Sequence, residues 1–372
     1  MFIAVSQCSS TIVLPCLSAI SLDLGASIAQ TQYVIINFIL GAAISQLLVG
    51  PATDYFGRKK TALICLLCFM TSSFDAVWEN SITGLCWVRF MQGFSIGSAS
   101  ILSRAILRDL YQSHEFIKNN AVLNAILAIT PVLSPLLGLC LLDLFSWRAS
   151  FLFLAILSFT IGYLWLVCFE ETLAKSSKPS LINYVLILRK PTFLANTFCG
   201  GLIYSAEILI LNKCSLSFGF KQALLLLSCS YALGSYIAVK LSKRISFPNI
   251  VQIGLLLTVL ATSTLLIFCL VGSSLQWMLI LCFSIFMLGA SFVYANTAAL
   301  ALLPFTEAAG VASCLLSVVQ NGLAGIVSIL MEINYSGMSS VFFTLMSLCL
   351  LAGVVFIFSK ETPSHILGEG NW

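Results

Sequence analysis

Long apolar segments follow one another along almost the whole chain, and this pattern limits the possible fold more than any other feature. An α-helix of about 20 apolar residues crosses the roughly 30 Å hydrocarbon core of a bilayer. Twelve such segments are present, near residues 2–21, 32–52, 61–78, 82–106, 116–142, 147–169, 192–212, 222–241, 249–271, 276–301, 307–330 and 338–359. Soluble chains carry about 25% charged residues, whereas this chain carries 9% and has a mean hydropathy of +1.04. The sequence therefore predicts an all-α membrane protein with twelve transmembrane helices embedded in a lipid bilayer.

Positive charges collect in alternate loops between these segments. One set of loops contains Arg58, Lys59, Lys60, Arg108, Lys118, Lys175, Lys178, Arg189, Lys190, Lys240, Lys243, Arg244 and, after the last segment, Lys360. The other set contains only Arg148, Lys213 and Lys221. Because cytoplasmic loops carry the excess of Lys and Arg, the first set and both termini are predicted to be cytoplasmic. The net charge of +4 is distributed loop by loop, which argues against nucleic acid as a partner.

The longest polar interval, residues 170–191, follows the sixth segment. It predicts two six-helix bundles, a cytoplasmic linker and a cytoplasmic tail, in chain order 1–170, 171–191, 192–359 and 360–372. The two halves show a faint repeat when Gly50 is aligned with Gly234 without gaps. Repeats of this kind are expected in transporters whose halves rock against each other around a central site.

The loop after the second segment reads Gly50-Pro-Ala-Thr-Asp-Tyr-Phe-Gly-Arg-Lys-Lys60. Gly57 permits a tight turn, and Asp54 and Arg58 share a face where the helix continues. The pattern G-x-x-x-D-x-x-G-R-K-K resembles the signature loop of the major facilitator superfamily. The resemblance implies the major facilitator fold, in two six-helix pseudo-repeats, and a secondary transporter of small molecules. An ordinary positive loop would explain the lysines but not the Gly-Asp-Gly-Arg spacing.

The end of the fourth segment, Ser103-Arg-Ala-Ile-Leu-Arg-Asp109, resembles the part of the superfamily that carries an Arg-Asp pair. In the superfamily, this acid contacts the arginine of the signature loop. The resemblance therefore implies that Asp109 meets Arg58, and that Asp54 lies at the positive N-terminal end of the eleventh helix. Together with Gly50 and Gly57, these residues are expected to form a cytoplasmic gate that closes and opens as the halves rock.

The fourth segment also contains an arginine, in Leu85-Cys-Trp-Val-Arg-Phe-Met-Gln-Gly93. An arginine inside a membrane costs about 2.5–3.5 kcal/mol on insertion scales, so Arg89 is expected to face a cavity or a partner. Gln92 lies on the same helix face. The run L-x-x-x-R-x-x-Q-G resembles the fourth-helix motif of proton-driven facilitators, in which the arginine is implicated in proton coupling. The alternative is an arginine that snorkels to the membrane surface.

The fifth segment contains Pro131-Val-Leu-Ser-Pro-Leu-Leu-Gly138, which resembles the antiporter motif of the superfamily. Pro135 interrupts helical hydrogen bonding, and Gly138 makes room on one face. Ser134 and Leu139 replace two glycines of the motif, so the match is partial, and proline kinks are common in membrane helices generally. The motif favours antiport over symport.

Further stretches resemble the Bcr/CflA group of drug/proton antiporters within the superfamily. They are Ser146-Trp-Arg-Ala-Ser-Phe151, Glu171-Thr-Leu173, and the run from Ala290 to Phe305 with Ala309-Gly-Val-Ala-Ser313. Asn296 and Gln320 are polar residues of the tenth and eleventh segments. The resemblance implies that they line the central cavity, although they are equally suited to interhelical hydrogen bonds.

The first and seventh segments depart from the superfamily pattern. The superfamily carries an acidic residue in the first helix, where this chain has Thr11 before Leu14-Pro15. Glu207, by contrast, lies deep in the seventh segment, and a lone carboxyl group in lipid is expected to be neutral. We therefore expect Glu207 to replace the missing acid as the proton carrier, with Arg89 across the central cavity. The alternative is a protonated Glu207 that is hydrogen-bonded to a neighbouring helix and has no other role.

Together these patterns predict a monomeric, proton-coupled exporter of small amphipathic compounds or drugs in a bacterial inner membrane. The proton gradient would drive it, without a cofactor or a metal. Uptake by symport or facilitation stays open, because the first-helix acid is missing and the antiporter motif is imperfect. An enzyme is not predicted, because His114 and His365 lie in separate loops, with no cluster of His, Asp and Glu at a membrane face.

Overall fold

The computed structural model describes residues 2–111, 130, 133–172, 181–217, 220–242, 244–271, 276–305, 309–333 and 338–361. Across these ranges the chain forms helices and no strand: α1 (Phe2–Thr11), α2 (Leu17–Asp23), α3 (Ile28–Phe56), α4 (Arg58–Trp78), α5 (Ile82–Ile96), α6 (Ala99–Leu110), α7 (Leu133–Leu144), α8 (Trp147–Cys168), α9 (Leu181–Leu188), α10 (Pro191–Ser217), α11 (Phe220–Leu241), α12 (Phe247–Val271), α13 (Gln276–Leu302), α14 (Ala309–Ile333) and α15 (Met338–Glu361).

Each of the twelve predicted segments has a helical counterpart in the described part of the chain. Within the described ranges, nine candidate spans are long and apolar enough to cross a membrane, and two further apolar helices, Leu133–Leu144 and Leu226–Leu241, are shorter. The remaining segment, the fourth, is formed by α5 and α6 in succession. Most of the fifth segment before residue 133 lies outside the described residues. The prediction of an all-α, multi-pass membrane protein is confirmed.

Two of the spans are interrupted. A short 3₁₀ turn, Leu14–Cys16, separates α1 from α2, at the place where Pro15 has no backbone N–H to continue the helix. The fourth span is interrupted between Ile96 and Ala99, and the Gly97 N–H still donates to the Gly93 carbonyl over 2.8 Å. Residues on either side of such a break no longer keep the regular helical spacing, so they face different neighbours.

A single residue, Gly57, separates α3 from α4. Its φ angle is +101°, a conformation that glycine adopts readily because it has no Cβ. The sharp reversal brings the start of α4 to the same end of the helix bundle as the last turn of α6. We call this the Gly57 end, and we call the opposite end, where α2 finishes, the Asp23 end.

Buried apolar side chains gather in two main clusters. One is formed by residues between Phe2 and Ile161 together with Ala324, and the other by residues between Cys199 and Phe356. Membrane helices associate through close packing and interhelical hydrogen bonds, because lipid is as apolar as their side chains. We call α1–α8 the first half and α10–α15 the second half; the predicted boundaries at 171–191 stay a prediction.

The described helices of the two halves meet at several places, including a contact of α6 with α14. Helix α3 packs against α14, and α10 packs against α2 and the turn before it. Between α3 and α14, a Cβ added to Gly325 would lie 2.7 Å from Leu40 Cδ2. On α10, Tyr204, Ile208 and Leu211 pack against the apolar cluster of the first half. Residues of α10 near these positions therefore lie at the junction between the halves.

Candidate transport site

An ion pair joins α4 to α6 at the Gly57 end. Arg58 Nε lies 3.1 Å from Asp109 Oδ2, and the two side chains are 10% and 22% exposed. Arg58 Nη1 also donates to Thr53 Oγ1 over 2.6 Å, while the Thr172 hydroxyl donates to Asp109 Oδ2 over 3.4 Å. The structure thus brings together Arg58 and Asp109, as the resemblance implies, and the role of this pair as a gate stays a prediction.

Glu171 covers the beginning of α4. Its carboxylate accepts hydrogen bonds from the Arg58 N–H over 2.8 Å and the Lys59 N–H over 3.1 Å. The unpaired N–H groups and the positive dipole end of a helix favour an anion there. A Cβ added to Gly57 would lie only 2.5 Å from Glu171 Oε2. The signature loop is thus tied to the segment after α8. In the sequence, Glu171 was only part of a group resemblance, and nothing local indicated this contact.

Two further predicted gate residues, Gly50 and Asp54, lie in the last turns of α3. The Asp54 side chain lies outside the described part of the structure, so its expected contact with the eleventh span, α14, stays a prediction. The structure does show a polar contact between the halves nearby. Gln46 donates to the Gly97 carbonyl over 3.1 Å and accepts from Asn321 Nδ2 over 3.1 Å. Sequence reasoning missed this pair because its members lie 275 residues apart.

Arg89 is completely buried in the first half, which excludes the alternative of snorkelling. Its guanidinium donates to Gln92 Oε1 over 2.8 Å, to the Val34 carbonyl over 3.3 Å and to the Ser9 carbonyl over 3.3 Å. It also lies 4.2 Å from the centre of the Phe38 ring, where a cation is attracted by the ring face. Arg89 therefore has uncharged partners that compensate for its removal from water.

The hydrogen bond of Gln92 extends this network to a fourth helix. Gln92 Nε2 donates to Ser73 Oγ over 2.8 Å, so Arg89 and Gln92 together join α1, α3, α4 and α5. The expectation that Arg89 faces Glu207 does not match these contacts, which all lie within the first half. The reason is that α5 directs this face toward α1 and α3, while the part of the span beyond the break, α6, approaches the second half.

Glu207 lies in α10 beside three tyrosines. The side chain as a whole is half-buried, but its Oε2 atom is enclosed and has no hydrogen-bond partner among the described residues. The carboxyl group interacts electrostatically with the hydroxyl groups of Tyr204, Tyr231 and Tyr294. The Tyr204 and Tyr294 rings lie 5.4 Å apart. We call these four residues, from α10, α11 and α13, the Glu207 cluster.

The Glu207 cluster lies where the two halves meet. Tyr204 packs against the apolar cluster of the first half, and Tyr294 interacts electrostatically with Arg104 of α6. Arg104, and not Arg89, is thus the arginine of the fourth span that the structure brings to this cluster. Sequence reasoning missed Arg104 because it lies near the end of its span, in a position typical of a charge that fixes topology.

The two polar residues predicted in the tenth and eleventh spans differ in their contacts. Asn296 is buried, and its side chain donates to the Phe292 carbonyl of its own helix over 2.7 Å. Gln320 is 1% exposed, and neither its amide oxygen nor its amide nitrogen has a partner among the described residues. Neither residue forms an interhelical side-chain bond in the described part of the chain. Gln320 is left as a buried hydrogen-bonding group that protein atoms do not satisfy.

The antiporter-like helix α7 packs tightly on the first span. A Cβ added to Gly138 would lie 2.2 Å from the Ile12 carbonyl oxygen, so only glycine fits this contact. Pro135 is buried in the first turn of α7, and Pro131 lies outside the described residues. The room that Gly138 was expected to provide is used for the first span, close to its interruption at Pro15.

A second polar cluster lies at the Asp23 end. Arg148 forms an ion pair with Asp23 and donates to the Val77 carbonyl over 3.1 Å and to Asn80 Oδ1 over 3.1 Å. The Trp147 indole N–H donates to Asp23 Oδ2 over 3.0 Å. The Trp-Arg pair therefore joins α2, α4 and α8 at the surface of the first half.

A cavity of about 340 Å³ opens at the Asp23 end between α3 and α5. Its lining consists of Gln30, Tyr33, Asn37, Ile82, Thr83, Cys86 and Trp87. These residues include none of the Glu207 cluster, so this cavity is distinct from the central site that the sequence predicts. Within the described ranges, no group of three or more His, Cys, Asp or Glu side chains is arranged to hold a metal ion.

Comparisons with known proteins agree with this architecture. The sequence profile of the Major Facilitator Superfamily matches residues 1–329. The chain is 28% identical over 337 residues to multidrug resistance protein D of Escherichia coli K12, covering 86% of this chain and 84% of that protein. It is 28% identical over 173 residues to the bicyclomycin resistance protein homolog of Haemophilus influenzae, covering 46% and 44%. The crystal structure of a D-xylose-proton symporter has a similar fold, with a TM-score of 0.78, 12% identity and coverage of 99% and 97%.

The helical spans and the superfamily match define a multi-pass membrane transporter that acts on small molecules within a lipid bilayer. The chain belongs to the Major Facilitator Superfamily.

Proposed function

We propose that the protein exports small amphipathic compounds across a bacterial inner membrane in exchange for protons. Both termini would face the cytoplasm, the Gly57 end would be the cytoplasmic end, and the proton gradient would supply the energy without a cofactor. We further propose that it works as a monomer, without nucleic acid, and catalyses no chemical reaction. The observation that carries this proposal is the Glu207 carboxyl group, which lies at the junction of the halves with an enclosed oxygen that has no hydrogen-bond partner in the described part of the chain.

A carboxyl group in this position is suited to carry a proton. Burial without a hydrogen-bond partner disfavours the ionised form, so Glu207 binds a proton while the junction encloses it. When the halves rock and water or a substrate reaches the carboxyl group, the ionised form is stabilised and the proton leaves. Export follows when the proton and the substrate favour opposite orientations of the halves, because a ligand shifts a conformational equilibrium only through its different affinity for the two states.

The walls of the site are suited to varied substrates. Tyr204, Tyr231 and Tyr294 offer large ring surfaces with a hydroxyl group each, and binding sites for small molecules are mostly apolar with a few polar anchors. The names of two relatives, a multidrug resistance protein and a bicyclomycin resistance protein homolog, support drugs as the substrates of this chain too.

Polar contacts at the Gly57 end are suited to stabilise one orientation of the two halves. Arg58, Asp109 and Glu171 join the signature loop to α6 and to the segment after α8. Gln46 and Asn321 join α3 to α14 close by. We infer that the Gln46–Asn321 contact keeps the Gly57 end closed and separates when the halves rock, while Arg58, Asp109 and Glu171 hold the signature loop in place within the first half.

Transport in cells lacking their own efflux pumps tests the proposal. Cells that make the protein are loaded with ethidium, and separately with bicyclomycin, and accumulation is measured with and without an uncoupler. Cells that make the wild-type protein should accumulate less of each compound than cells without it, and the uncoupler should remove this difference. Cells that make Glu207→Gln should accumulate as much as cells without the protein. Asp75→Asn is the matched control, since Asp75 is an exposed carboxylate within a span. Accumulation above that of control cells would instead indicate uptake, and unchanged export by Glu207→Gln would refute the assigned proton carrier.

A further inference from the structure

Three buried polar side chains of the second half leave polar atoms without hydrogen-bond partners among the described residues, although the Asn196 amide nitrogen donates to the Thr192 carbonyl over 2.8 Å. Gln320 of α14 is 1% exposed and lacks a partner for both amide atoms. Thr197 of α10 is 0% exposed, and its hydroxyl oxygen has no partner. Asn196 is 6% exposed, and its side-chain oxygen has none. Buried polar groups in native proteins are almost always paired with protein or with ordered water.

The absence of a side chain at Gly200 brings these groups to one place. A Cβ at this position would lie 2.6 Å from Thr297 Oγ1 and 2.7 Å from Gln320 Nε2. Thr197 precedes Gly200 by three residues and so lies on the same face of α10. The Thr297 hydroxyl donates to the Val293 carbonyl over 2.8 Å, which leaves its oxygen free to accept. We call Asn196, Thr197, Gly200, Thr297 and Gln320 the Gln320 layer.

The Gln320 layer continues into the Glu207 cluster along two helices. On α10, Tyr204 follows Gly200 by four residues, and Glu207 follows by seven. On α13, Tyr294 precedes Thr297 by three residues, and its ring lies 5.4 Å from that of Tyr204. The stretch of α10 from Thr197 to Glu207 is about 15 Å long, from a rise of 1.5 Å per residue. Hydroxyl and amide groups therefore follow one another from the middle of the bundle toward the start of α10.

The direct routes to Glu207 between the halves are both obstructed by packed side chains. Ile208 and Leu211, which follow Glu207 toward the Asp23 end, pack against the apolar cluster of the first half. Toward the Gly57 end, α3 and α14 are joined by Gln46 and Asn321. Among the described residues, the polar groups in the interior of the second half offer a further route to the Glu207 carboxyl group.

We propose that the Gln320 layer holds ordered water and, with Tyr204 and Tyr294, forms a proton relay between Glu207 and the Gly57 end of α10. This inference rests on the proposed role of Glu207 as the proton carrier. Each water or phenol hydroxyl accepts one proton on one side and releases one on the other, so no group is oxidised or reduced. Gln320 transfers no proton itself; it positions water, which needs two to four polar partners in a buried site.

The groups that face Glu207 are consistent with this route. Tyr204, Tyr231 and Tyr294 interact with it electrostatically, and Arg104 of the first half interacts with Tyr294. Of these, the phenols of Tyr204 and Tyr294 lie on the two helices that also carry the Gln320 layer. Arg104 lies on the opposite side of the junction, where its positive charge opposes passage of a proton toward the first half.

The test measures how fast water reaches the Glu207 carboxyl group, and it needs no substrate. The full chain is reconstituted in lipid and studied by infrared spectroscopy. The carbonyl band of protonated Glu207 is identified as the band that Glu207→Gln removes, and its shift is followed after exchange into D₂O. Gln320→Leu removes the side-chain amide, and Thr197→Val removes the hydroxyl group while keeping a side chain of nearly the same shape. The expected result is exchange that is slower by about tenfold or more in both variants.

Ser328→Ala is the matched control. Ser328 lies on the same helix as Gln320, is buried, and also has a hydroxyl oxygen with no partner among the residues that the structure describes, but it is eight residues further toward the Asp23 end. In Ser328→Ala, the Glu207 carboxyl group should exchange its proton at the wild-type rate. Wild-type rates in both Gln320→Leu and Thr197→Val, or an equal slowing in Ser328→Ala, would overturn the relay. The proposed function is tested by a different measurement: it fails if Glu207→Gln exports drugs as well as the wild type does. The two failures are therefore distinguishable.

Discussion

Thr11 and Ser134 share a hydrogen bond between their hydroxyl groups, which joins the first span to the fifth. These are two positions at which the sequence departs from the pattern of the superfamily: a hydroxyl in place of an acid, and a serine in place of a glycine. The bond shows that the departures lie in one contact. The first span is thus held to α7 at the position where the superfamily pattern has an acid.

The Thr11–Ser134 bond should contribute to stability as a pair. Thr11→Val and Ser134→Ala should each lower the free energy of unfolding in bicelles by about 0.6–1.7 kcal/mol, the range measured for hydrogen bonds between membrane helices. The double variant should lose less than the sum of the two, because either change alone removes the bond. If the loss in the double variant equals the sum of the two single losses, the hydrogen bond does not contribute to stability. Thr160→Val, an exposed threonine bonded within its own helix, is the control.

Loss of the Arg58–Asp109 ion pair should lower both the stability of the protein and its rate of transport. Arg58→Met should lower the free energy of unfolding by about 1.5–3 kcal/mol, the range for hydrogen bonds to charged groups, and should reduce export of ethidium by cells. Lys60→Met removes a neighbouring exposed charge and should change neither. Equal behaviour of the two variants would show that the pair has no special role in the gate.

Glu171 should stabilise the start of α4. Glu171→Ala removes the acceptor of two backbone N–H groups and a negative charge at a helix N-terminus, so unfolding should become easier by about 0.5–2 kcal/mol. Glu170→Ala removes the preceding exposed carboxylate and is the matched control. The thermal unfolding midpoints of the two purified variants provide the comparison. The same midpoint for both would mean that the cap contributes nothing.

The Gln46–Asn321 contact should oppose separation of α3 from α14. Removing one interhelical hydrogen bond in Asn321→Leu should favour the open form by about 0.6–1.7 kcal/mol, or about 3- to 18-fold. The native thiol of Cys314, buried against Gln46 in this contact, reports the opening. Its rate of alkylation by N-ethylmaleimide, followed by peptide mass spectrometry, should rise by that factor. It should not rise in Asn249→Leu, which alters an exposed asparagine of α12; an unchanged rate in Asn321→Leu would argue against the contact.

The spans and one long-range contact could be predicted from the sequence. The bilayer sets the length of each apolar segment, so hydropathy located the described helical spans to within a few residues, apart from the fifth, most of which lies outside the described residues. The resemblance predicted the contact of Arg58 with Asp109. The faces of the helices were not predictable in the same way. Helix α5 is apolar on most of its surface, so its periodicity does not tell which side meets the second half.

That limit explains the difference between the expected and the observed partner of the Glu207 cluster. Arg89 and Arg104 lie in one predicted span, and the interruption after Ile96 separates the faces on which they lie. Arg89 faces into the first half, and Arg104 approaches Tyr294. Contacts such as Gln46–Asn321 and Glu171–Arg58 join residues more than a hundred positions apart, so no local pattern reveals them.

Proton movement measured directly in membrane vesicles is the most decisive test of the central claim that Glu207 couples export to protons. Everted vesicles are acidified inside by respiration, and the pH gradient is followed with a fluorescent base while ethidium or bicyclomycin is added. With the wild-type protein the added compound should dissipate part of the gradient, and with Glu207→Gln it should not, while Asp75→Asn behaves as the wild type. Dissipation of equal size with Glu207→Gln would contradict the account.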